Sequence, residues 1–233
     1  MAKKVPSVLA LIPDGNRRWA LKHRLSFYQA YSQGVKKFID FAEWCKDYGV
    51  KSVIVWAFST ENFKRPSIER NTLFSIYENA AKDKSIIERL HKNRTRLKIV
   101  GNMALLPKRL QTALHNVEEE TKAYKDRVIY LLIAYGGRND LVHAAKELAL
   151  NADDEAIKKL DESKFKSMLF SSEVPDPDLV IRTSGERRLS GILPWQVCYS
   201  ELYFSKKLWP DFTRKDLRQA LLDYGKRQRR FGQ

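Results

Sequence analysis

Short apolar runs that alternate with helical stretches set the strongest limit on how this chain folds. The run Val8–Ile12 is followed by a helical apolar stripe over residues 35–45 and then by the β-branched run 50–58. This strand–helix–strand order predicts a βαβ unit and therefore a parallel sheet. Later apolar runs predict four further strands, at residues 96–100, 128–134, 179–181 and 201–204. The sequence thus predicts an α/β fold: one domain over residues 1–233, with a central, mostly parallel six-stranded sheet flanked by helices.

The stretches between the strands show the spacing of amphipathic helices. Residues 23–33 are polar with scattered aromatics, and we expect there a loop that leads into the first helix. The dipeptide Tyr48-Gly49 is a stop signal for that helix, and Asn139 is a candidate cap for a later one. The remaining helices are predicted at residues 68–93, 106–124, 139–152, 161–169 and 216–230.

The chain is strongly basic, with 43 Lys and Arg against 28 Asp and Glu and a formal net charge of +15. Such an excess suits a polyanionic partner, whether nucleic acid, anionic lipid headgroups or a phosphorylated small molecule. No window approaches the roughly eighteen uncharged apolar residues of a membrane span, and Met1–Pro6 lacks the apolar stretch of a signal peptide. Cys45 and Cys198 are predicted to be buried thiols in a reducing compartment. We therefore expect a cytoplasmic protein, with peripheral contact at a membrane surface as an alternative.

Polar loops follow four of the predicted strands, at residues 13–19, 59–66, 135–138 and 182–190. Because the carboxyl ends of parallel strands lie on one edge of a sheet, these loops should converge on one crevice. They bring guanidinium groups, hydroxyls and glycine amides, which suit phosphate oxygens. A lone carboxylate among them, Asp14, predicts a Mg²⁺ site that substrate phosphates complete. Among the arginines that they bring are Arg17, Arg18, Arg65, Arg182, Arg187 and Arg188.

Missing motifs exclude several other chemistries. The chain has no P-loop sequence, no Gly-x-Gly-x-x-Gly dinucleotide motif and no Gly-x-Ser-x-Gly nucleophile elbow. Its four histidines show no metal-ligand spacing. A nucleic-acid-binding module stays open as an alternative because of the charge and the basic run Lys226–Arg230. No recognisable binding motif accompanies that run, so we expect no nucleic acid partner.

Five motifs stand in order along the chain, and the last of them ends close to Trp209-Pro210. They are Asp14–Ala20, Ala57–Pro66, Tyr135–Arg138, Asp178–Glu186 and Glu201–Phe204. In this order and spacing they resemble the cis-prenyltransferase family, the enzymes similar to undecaprenyl diphosphate synthase. The resemblance implies a Mg²⁺-dependent enzyme that joins isopentenyl diphosphate to an allylic prenyl diphosphate, releases pyrophosphate and forms a Z double bond. It also implies a homodimer in which residues 227–232 help complete the neighbouring site.

The resemblance further implies roles for individual residues. Asp14 would hold Mg²⁺ and the allylic diphosphate, and Glu201 would assist the metal. Asn62 would act in proton removal, with support from Ser59. The growing prenyl chain would lie in an apolar tunnel between sheet and helices, with Ala57 as a candidate lining residue. The implied substrate-binding residues are Gly15, Asn16, Arg17, Arg18, Trp19, Thr60, Glu61, Phe63, Arg65, Arg182, Arg188, Leu189 and Ser190.

The chain departs from the family pattern just after its first motif. Where the family usually has an Arg and then a Gly-His pair near the allylic diphosphate, this sequence has Phe27, Ala30 and Tyr31. Loss of a cation and an imidazole would weaken or reorient the allylic diphosphate. Two products are therefore open: a regular Z-prenyl diphosphate, and a branched product of head-to-middle condensation.

Overall fold

The structure is a computed structural model that describes residues 5–227. Its strands are β1 (Val8–Ile12), β2 (Ser52–Ser59), β3 (Thr95–Val100), β4 (Arg127–Tyr135), β5 (Leu179–Arg182) and β6 (Glu201–Phe204). They form one six-stranded sheet in the order β3-β4-β2-β1-β5-β6. Every pairing between neighbouring strands is parallel, which confirms the predicted α/β sheet. The carboxyl ends of all six strands therefore share one edge.

Helices cover both faces of the sheet. Over residues 5–227 they are α1 (Asn16–His23), α2 (Phe27–Asp47), α3 (Ser67–Lys82), α4 (Lys84–Lys92), α5 (Lys108–Thr121), α6 (Gly137–Asn151), α7 (Asp154–Lys158), α8 (Glu162–Ser167) and α9 (Arg214–Lys226). Short 3₁₀ turns lie at Thr60–Lys64, Met103–Leu105 and Trp209–Asp211.

The loop expected before residue 35 is wrong, because most of that segment is helical. The first polar motif supplies α1, whose N-cap is Gly15, and α2 begins eight residues earlier than the apolar stripe suggested. Ser26 starts α2 with a capping box: its hydroxyl accepts from the Gln29 backbone N–H, and the Gln29 side chain accepts from the Ser26 N–H. Polar side chains on the exposed face of this helix hid its periodicity.

Three further boundaries differ from the predicted ones. The helix expected over residues 68–93 is two helices, because Asp83 ends α3 and caps α4. Asn139 lies inside α6, which begins at Gly137 instead. The last helix ends at Lys226, and the predicted residues 228–230 lie outside the described part of the chain, as do most of residues 227–232.

The core lies on both faces of the central strand β1. Leu9 and Leu11 pack with Phe41 on one face, whereas Ala10 and Ile12 pack into a separate cluster on the other. Cys45 is buried in the first of these clusters, but the prediction for Cys198 is wrong, because that thiol is exposed. No helix within residues 5–227 is both long enough and apolar enough to cross a bilayer.

Candidate active site

A cavity of about 1200 Å³ opens at the carboxyl edge of β1, β2 and β5. Its mouth is polar, and the four predicted loops converge there. Loop 135–138 contributes Gly137 and Arg138. The predicted site residues that line the cavity are Asp14, Gly15, Asn16, Arg17, Arg18, Ser59, Glu61, Asn62, Arg65, Arg182, Arg188 and Ser190.

A partly buried ion pair stands at the centre of the mouth. Asp14 follows β1, and Arg182 ends the adjacent β5, where it pairs in register with Ile12. The Arg182 Nη2 donates to Asp14 Oδ2 at 2.9 Å, and its Nη1 donates to Ser190 Oγ at 2.8 Å. The Arg182 side chain is only 6% exposed, whereas that of Asp14 is 34% exposed. The Asp14 carboxylate is therefore partly open to the cavity, and the buried Arg182 guanidinium fixes its position through a hydrogen bond.

The backbone around this pair is strained in ways that favour a ligand site. Gly15 has φ 107°, and a Cβ there would lie 2.9 Å from Leu208 Cδ2, so only glycine fits. Ser184 and Ser190 also have positive φ, at 78° and 55°, although neither is glycine. Such conformations cost free energy, and tertiary contacts such as the Arg182–Ser190 hydrogen bond hold them in place.

Three exposed arginines of the mouth are paired with carboxylates of the chain itself. Arg17 contacts Glu69 at 3.2 Å, and Arg18 contacts Glu186 at 3.4 Å. Glu186 also pairs with Arg188, so one carboxylate joins two guanidinium groups. The three arginine side chains are half exposed or more. Pairs this exposed contribute little stability, and an anion of higher charge can replace the carboxylates.

Asn62 is held at the end of β2 by the turn that follows the strand. Its Oδ1 accepts from the Ser59 backbone N–H at 3.2 Å. The register of β2 shifts on either side of Phe58, so the strand is irregular just before this turn. Tyr77 donates to the Ala57 carbonyl there at 2.6 Å, and burial raises the pKa of this phenol, which stays protonated. Ala57 and Tyr77 both line the cavity.

Tyr31 joins two elements across the cavity mouth. Its ring packs against that of Phe27 at a tilt of 31° with centroids 4.2 Å apart, and its hydroxyl accepts from Arg65 Nη1 at 3.0 Å. Tyr31 and Arg65 both line the cavity. The sequence marked Phe27 and Tyr31 only as departures from a pattern. The contact of Tyr31 with Arg65 could not be inferred, because 34 residues separate the two.

Five predicted site residues do not line this cavity: Trp19, Thr60, Phe63, Leu189 and Glu201. The Trp19 Nε1 donates to Asp211 at 2.8 Å, and Phe63 packs edge-on against a core phenylalanine. Glu201 lies at the amino end of β6, the edge of the sheet opposite Asp14, and pairs with Arg227 at 2.7 Å. Within one chain Glu201 therefore lies at the edge away from Asp14, and its part in a metal site stays a prediction.

Some functional candidates were missed by the sequence reasoning. Glu186 lies in a quoted motif but was given no role, and only its position between two arginines gives it one. Arg138 and Tyr77 also line the cavity. A basic residue directly after a strand-end glycine pair is a signal that could have identified Arg138.

The inner part of the cavity is apolar. It runs between the sheet and helices α2 to α5, as the tunnel prediction required. Tyr77 and Ala80 lie between the mouth and this inner end. The inner lining consists of Ile39, Val55, Ala81, Ile86, Ile87, Leu90, Leu97, Leu114, Val117, Ile129 and Leu131.

The donor set at the mouth fits a divalent cation that arrives with a phosphate ligand. Within residues 5–227 no three His, Cys, Asp or Glu side chains cluster as a metal site, so Asp14 would have to share a cation with ligands from outside the chain. Mg²⁺ commonly takes one or two carboxylates together with substrate phosphates and water. The Asn16 Oδ1 and the Arg182 Nε are buried there without a hydrogen-bond partner. Such orphaned polar atoms beside a cavity indicate a polar ligand.

Comparison with known proteins gives consistent matches over almost the full length. The prenyltransferase family model for undecaprenyl diphosphate synthase matches residues 12–232. The chain is 42% identical over 229 residues to the tritrans,polycis-undecaprenyl-diphosphate synthase (geranylgeranyl-diphosphate specific) of Thermoplasma acidophilum, covering 97% of this chain and 89% of that protein. It is 40% identical over 232 residues to dehydrodolichyl diphosphate synthase 1 of Arabidopsis thaliana, covering 98% and 76%. The crystal structure of lavandulyl diphosphate synthase from Lavandula x intermedia, in complex with dimethylallyl diphosphate, is similar with TM-score 0.92, 33% identity and coverage of 98% and 99%.

Proposed function

This chain belongs to the undecaprenyl diphosphate synthase family, and from that premise we propose how its cavity carries out the family's reaction. It is a cis-prenyltransferase: isopentenyl diphosphate condenses with an allylic prenyl diphosphate, a Z double bond forms and pyrophosphate leaves. The observation that carries the proposal is the junction of a guanidinium-rich mouth with a long apolar cavity. A substrate with a diphosphate head and a prenyl tail matches both parts.

The two diphosphates bind on either side of Asp14. Arg17 and Arg18 at the start of α1 line one side, and they take the allylic diphosphate. Arg182 and Arg188 line the other side and take isopentenyl diphosphate. Guanidinium groups bind phosphate oxygens through paired N–H donors, so both heads are held in a fixed orientation.

Asp14 is the residue that would hold Mg²⁺, which when bound offsets the charge that develops on the departing pyrophosphate. The Arg18 guanidinium supports the same charge from the chain itself. As the allylic C–O bond breaks, its electron pair leaves on the pyrophosphate oxygen. The double bond of isopentenyl diphosphate then supplies the electrons for the new C–C bond.

Asn62 positions the isopentenyl group for the final proton loss. A neutral amide is a weak base, and the Ser59 N–H already occupies the Asn62 Oδ1. We therefore assign Asn62 to orientation, while a diphosphate oxygen takes the proton from C2 of the isopentenyl unit. Asn62→Ala would then lower kcat more strongly than it raises KM for either substrate.

Radiolabelled isopentenyl diphosphate tests the whole proposal. Purified protein with Mg²⁺ is incubated with allylic primers of increasing length, and we name geranylgeranyl diphosphate first because the Thermoplasma acidophilum relative carries that specificity in its name. Labelled products that extend the primer are expected, and EDTA should abolish them. If no primer is extended while the protein is folded, the proposal is wrong.

A head-to-middle, branched product is the second candidate. The aromatic pair Phe27 and Tyr31 favours it, since the pair stands where cationic and imidazole ligands of the allylic diphosphate are usual in the family. NMR of the first product decides between the candidates, because a regular product joins its isoprene units head to tail with a new Z double bond, whereas a head-to-middle product carries one unit as a side branch.

We also propose a homodimer in the cytoplasm, with contact at a membrane surface when lipid products leave. The side chains of the edge strand β6 are half buried in the single chain, as expected for a strand that awaits a neighbour. Glu201 could reach a diphosphate only from a second copy. Light scattering after gel filtration tests the dimer, and cell fractionation tests the location.

A further inference from the structure

The apolar end of the cavity lies directly behind a groove on the outer surface. The groove holds about 870 Å³ and runs between α5 and the junction of α3 with α4. Three side chains, those of Ala81, Ile87 and Val117, line both the cavity and the groove. The barrier between the two spaces is therefore one side chain thick at this place.

The barrier stands where the helical backbone is interrupted. The Asp83 side chain accepts from the Ser85 N–H at 2.9 Å and starts α4 after the end of α3. Ile86 and Ile87 follow within the first turn, and both line the cavity. Helix ends have fewer internal hydrogen bonds than helix centres, so local opening costs less here than it would within a continuous helix.

The ion pairs that fix α4 to its neighbours involve its second half. Arg89 donates to Glu43 of α2 at 2.7 Å, and His91 lies 2.8 Å from Glu120 of α5. The first turn of α4, which carries Ile87, can therefore move away from α5 without breaking these pairs.

The groove offers an apolar floor beyond the barrier. Ala113 belongs to this floor together with the three shared side chains. A hydrocarbon that passed the barrier would stay on apolar surface instead of entering water, which lowers the free-energy cost of leaving the cavity. The rim of the groove is polar and consists of Glu78, Lys82, Lys84, Glu88, His91, Lys108, Arg109, Thr112, Asn116 and Glu120.

We propose that the barrier formed by Ala81, Ile87 and Val117 is a second opening of the cavity. Through it the distal isoprene units of the longest products leave the cavity and lie in the groove, while the diphosphate stays at the Asp14 mouth. The inference rests on the proposed prenyl transfer. Product length is then limited by passage through this barrier as well as by the volume of the cavity.

Two neighbouring residues of α5 provide a matched test. Asn116 is exposed and lines the groove but not the cavity, whereas the adjacent His115 is exposed and lines neither. A Trp in the groove blocks the emerging tail, so Asn116→Trp should cut the yield of the longest product by about threefold or more relative to His115→Trp. The rate of the first condensation should be equal in both variants. Identical product distributions in the two variants would overturn the second opening.

Photo-crosslinking tests the same path without turnover. Preformed polyprenyl diphosphates of increasing length carry a benzophenone at the tail end, and labelled peptides are mapped by mass spectrometry. Short tails should label the cavity end, for example Leu90, and long tails should label the groove face of α5. Long tails that label only cavity residues would refute the opening. Groove labelling by a protein that condenses no substrate would support the opening and count against the proposed reaction.

Discussion

Replacement of Asp14 by alanine should do more than remove the carboxylate proposed to hold Mg²⁺. Asp14 Oδ2 is the carboxylate partner of Arg182, whose side chain is 6% exposed. Breaking a fully buried ion pair costs about 3–5 kcal/mol because a charge is left without compensation. Asp14 itself is one-third exposed, so water can enter and take part of its place. We therefore expect Asp14→Ala to lower the free energy of unfolding by about 1–3 kcal/mol, in addition to abolishing turnover.

Urea unfolding followed by tryptophan fluorescence measures this loss. Asp14→Asn should fall between wild type and Asp14→Ala, because the amide oxygen still accepts from Arg182. Glu155→Ala removes an exposed partner of Lys159 and should change stability by no more than about 0.5 kcal/mol. Inorganic pyrophosphate without metal should stabilise Asp14→Ala at least as much as wild type, since Arg182 then lacks its carboxylate. An Asp14→Ala protein as stable as wild type would refute the reasoning.

Three further outcomes are expected. Tyr31→Phe should raise KM for the allylic primer by roughly three- to tenfold and leave KM for isopentenyl diphosphate unchanged in steady-state assays, because Arg65 loses its hydroxyl acceptor. Asp140→Asn should destabilise the protein by about 2–4 kcal/mol in thermal or urea unfolding, because the buried carboxylate accepts from Tyr135 Oη at 2.9 Å and from a backbone N–H. A hydrogen bond from Arg89 lowers the pKa of Glu43 below 4.5. The ionised Glu43 carboxylate therefore stabilises the fold above pH 4.5, and this stabilisation is lost as the pH falls through the lowered pKa. Glu43→Gln should remove that part of the acid dependence of the free energy of unfolding.

The sequence predicted the strands better than the helix ends, for physical reasons. β1 and β6 have the predicted limits because an apolar run between turn residues leaves few alternatives. The break at Asp83 could not be predicted, since its neighbours favour helix and the aspartate acts as a cap only once the chain turns there. Likewise the arginine-rich start of α1 was taken as a loop, because its helix is held by contacts with distant segments. Trp19, for example, bonds to Asp211.

The site shows the same division between local and long-range information. Because parallel strands align their carboxyl ends, strand-end loops could be assigned to one edge from the order of the elements alone. Glu201 begins its strand instead of following it, so the same rule places Glu201 on the opposite edge of the sheet. Glu201 was assigned to the metal site by its motif, without regard to the edge of the sheet on which it lies. The contact of Tyr31 with Arg65 depends on how α2 packs against the turn after β2, which no local pattern encodes.

The mouth pairs several of its arginines with carboxylates of the chain, and this pairing bears on selectivity. Glu69 and Glu186 contact the guanidinium groups of Arg17 and Arg18, and Asp14 contacts that of Arg182. A ligand must displace these carboxylates, or be bridged to them by a cation, before it can bind the guanidinium groups. A singly charged anion gains little by replacing a carboxylate of equal charge. A diphosphate carries more charge and spans more than one guanidinium, so it gains several charge-assisted hydrogen bonds for each one it breaks. The paired mouth therefore favours diphosphates over simple anions, and the apolar cavity behind it restricts these to diphosphates with a prenyl tail.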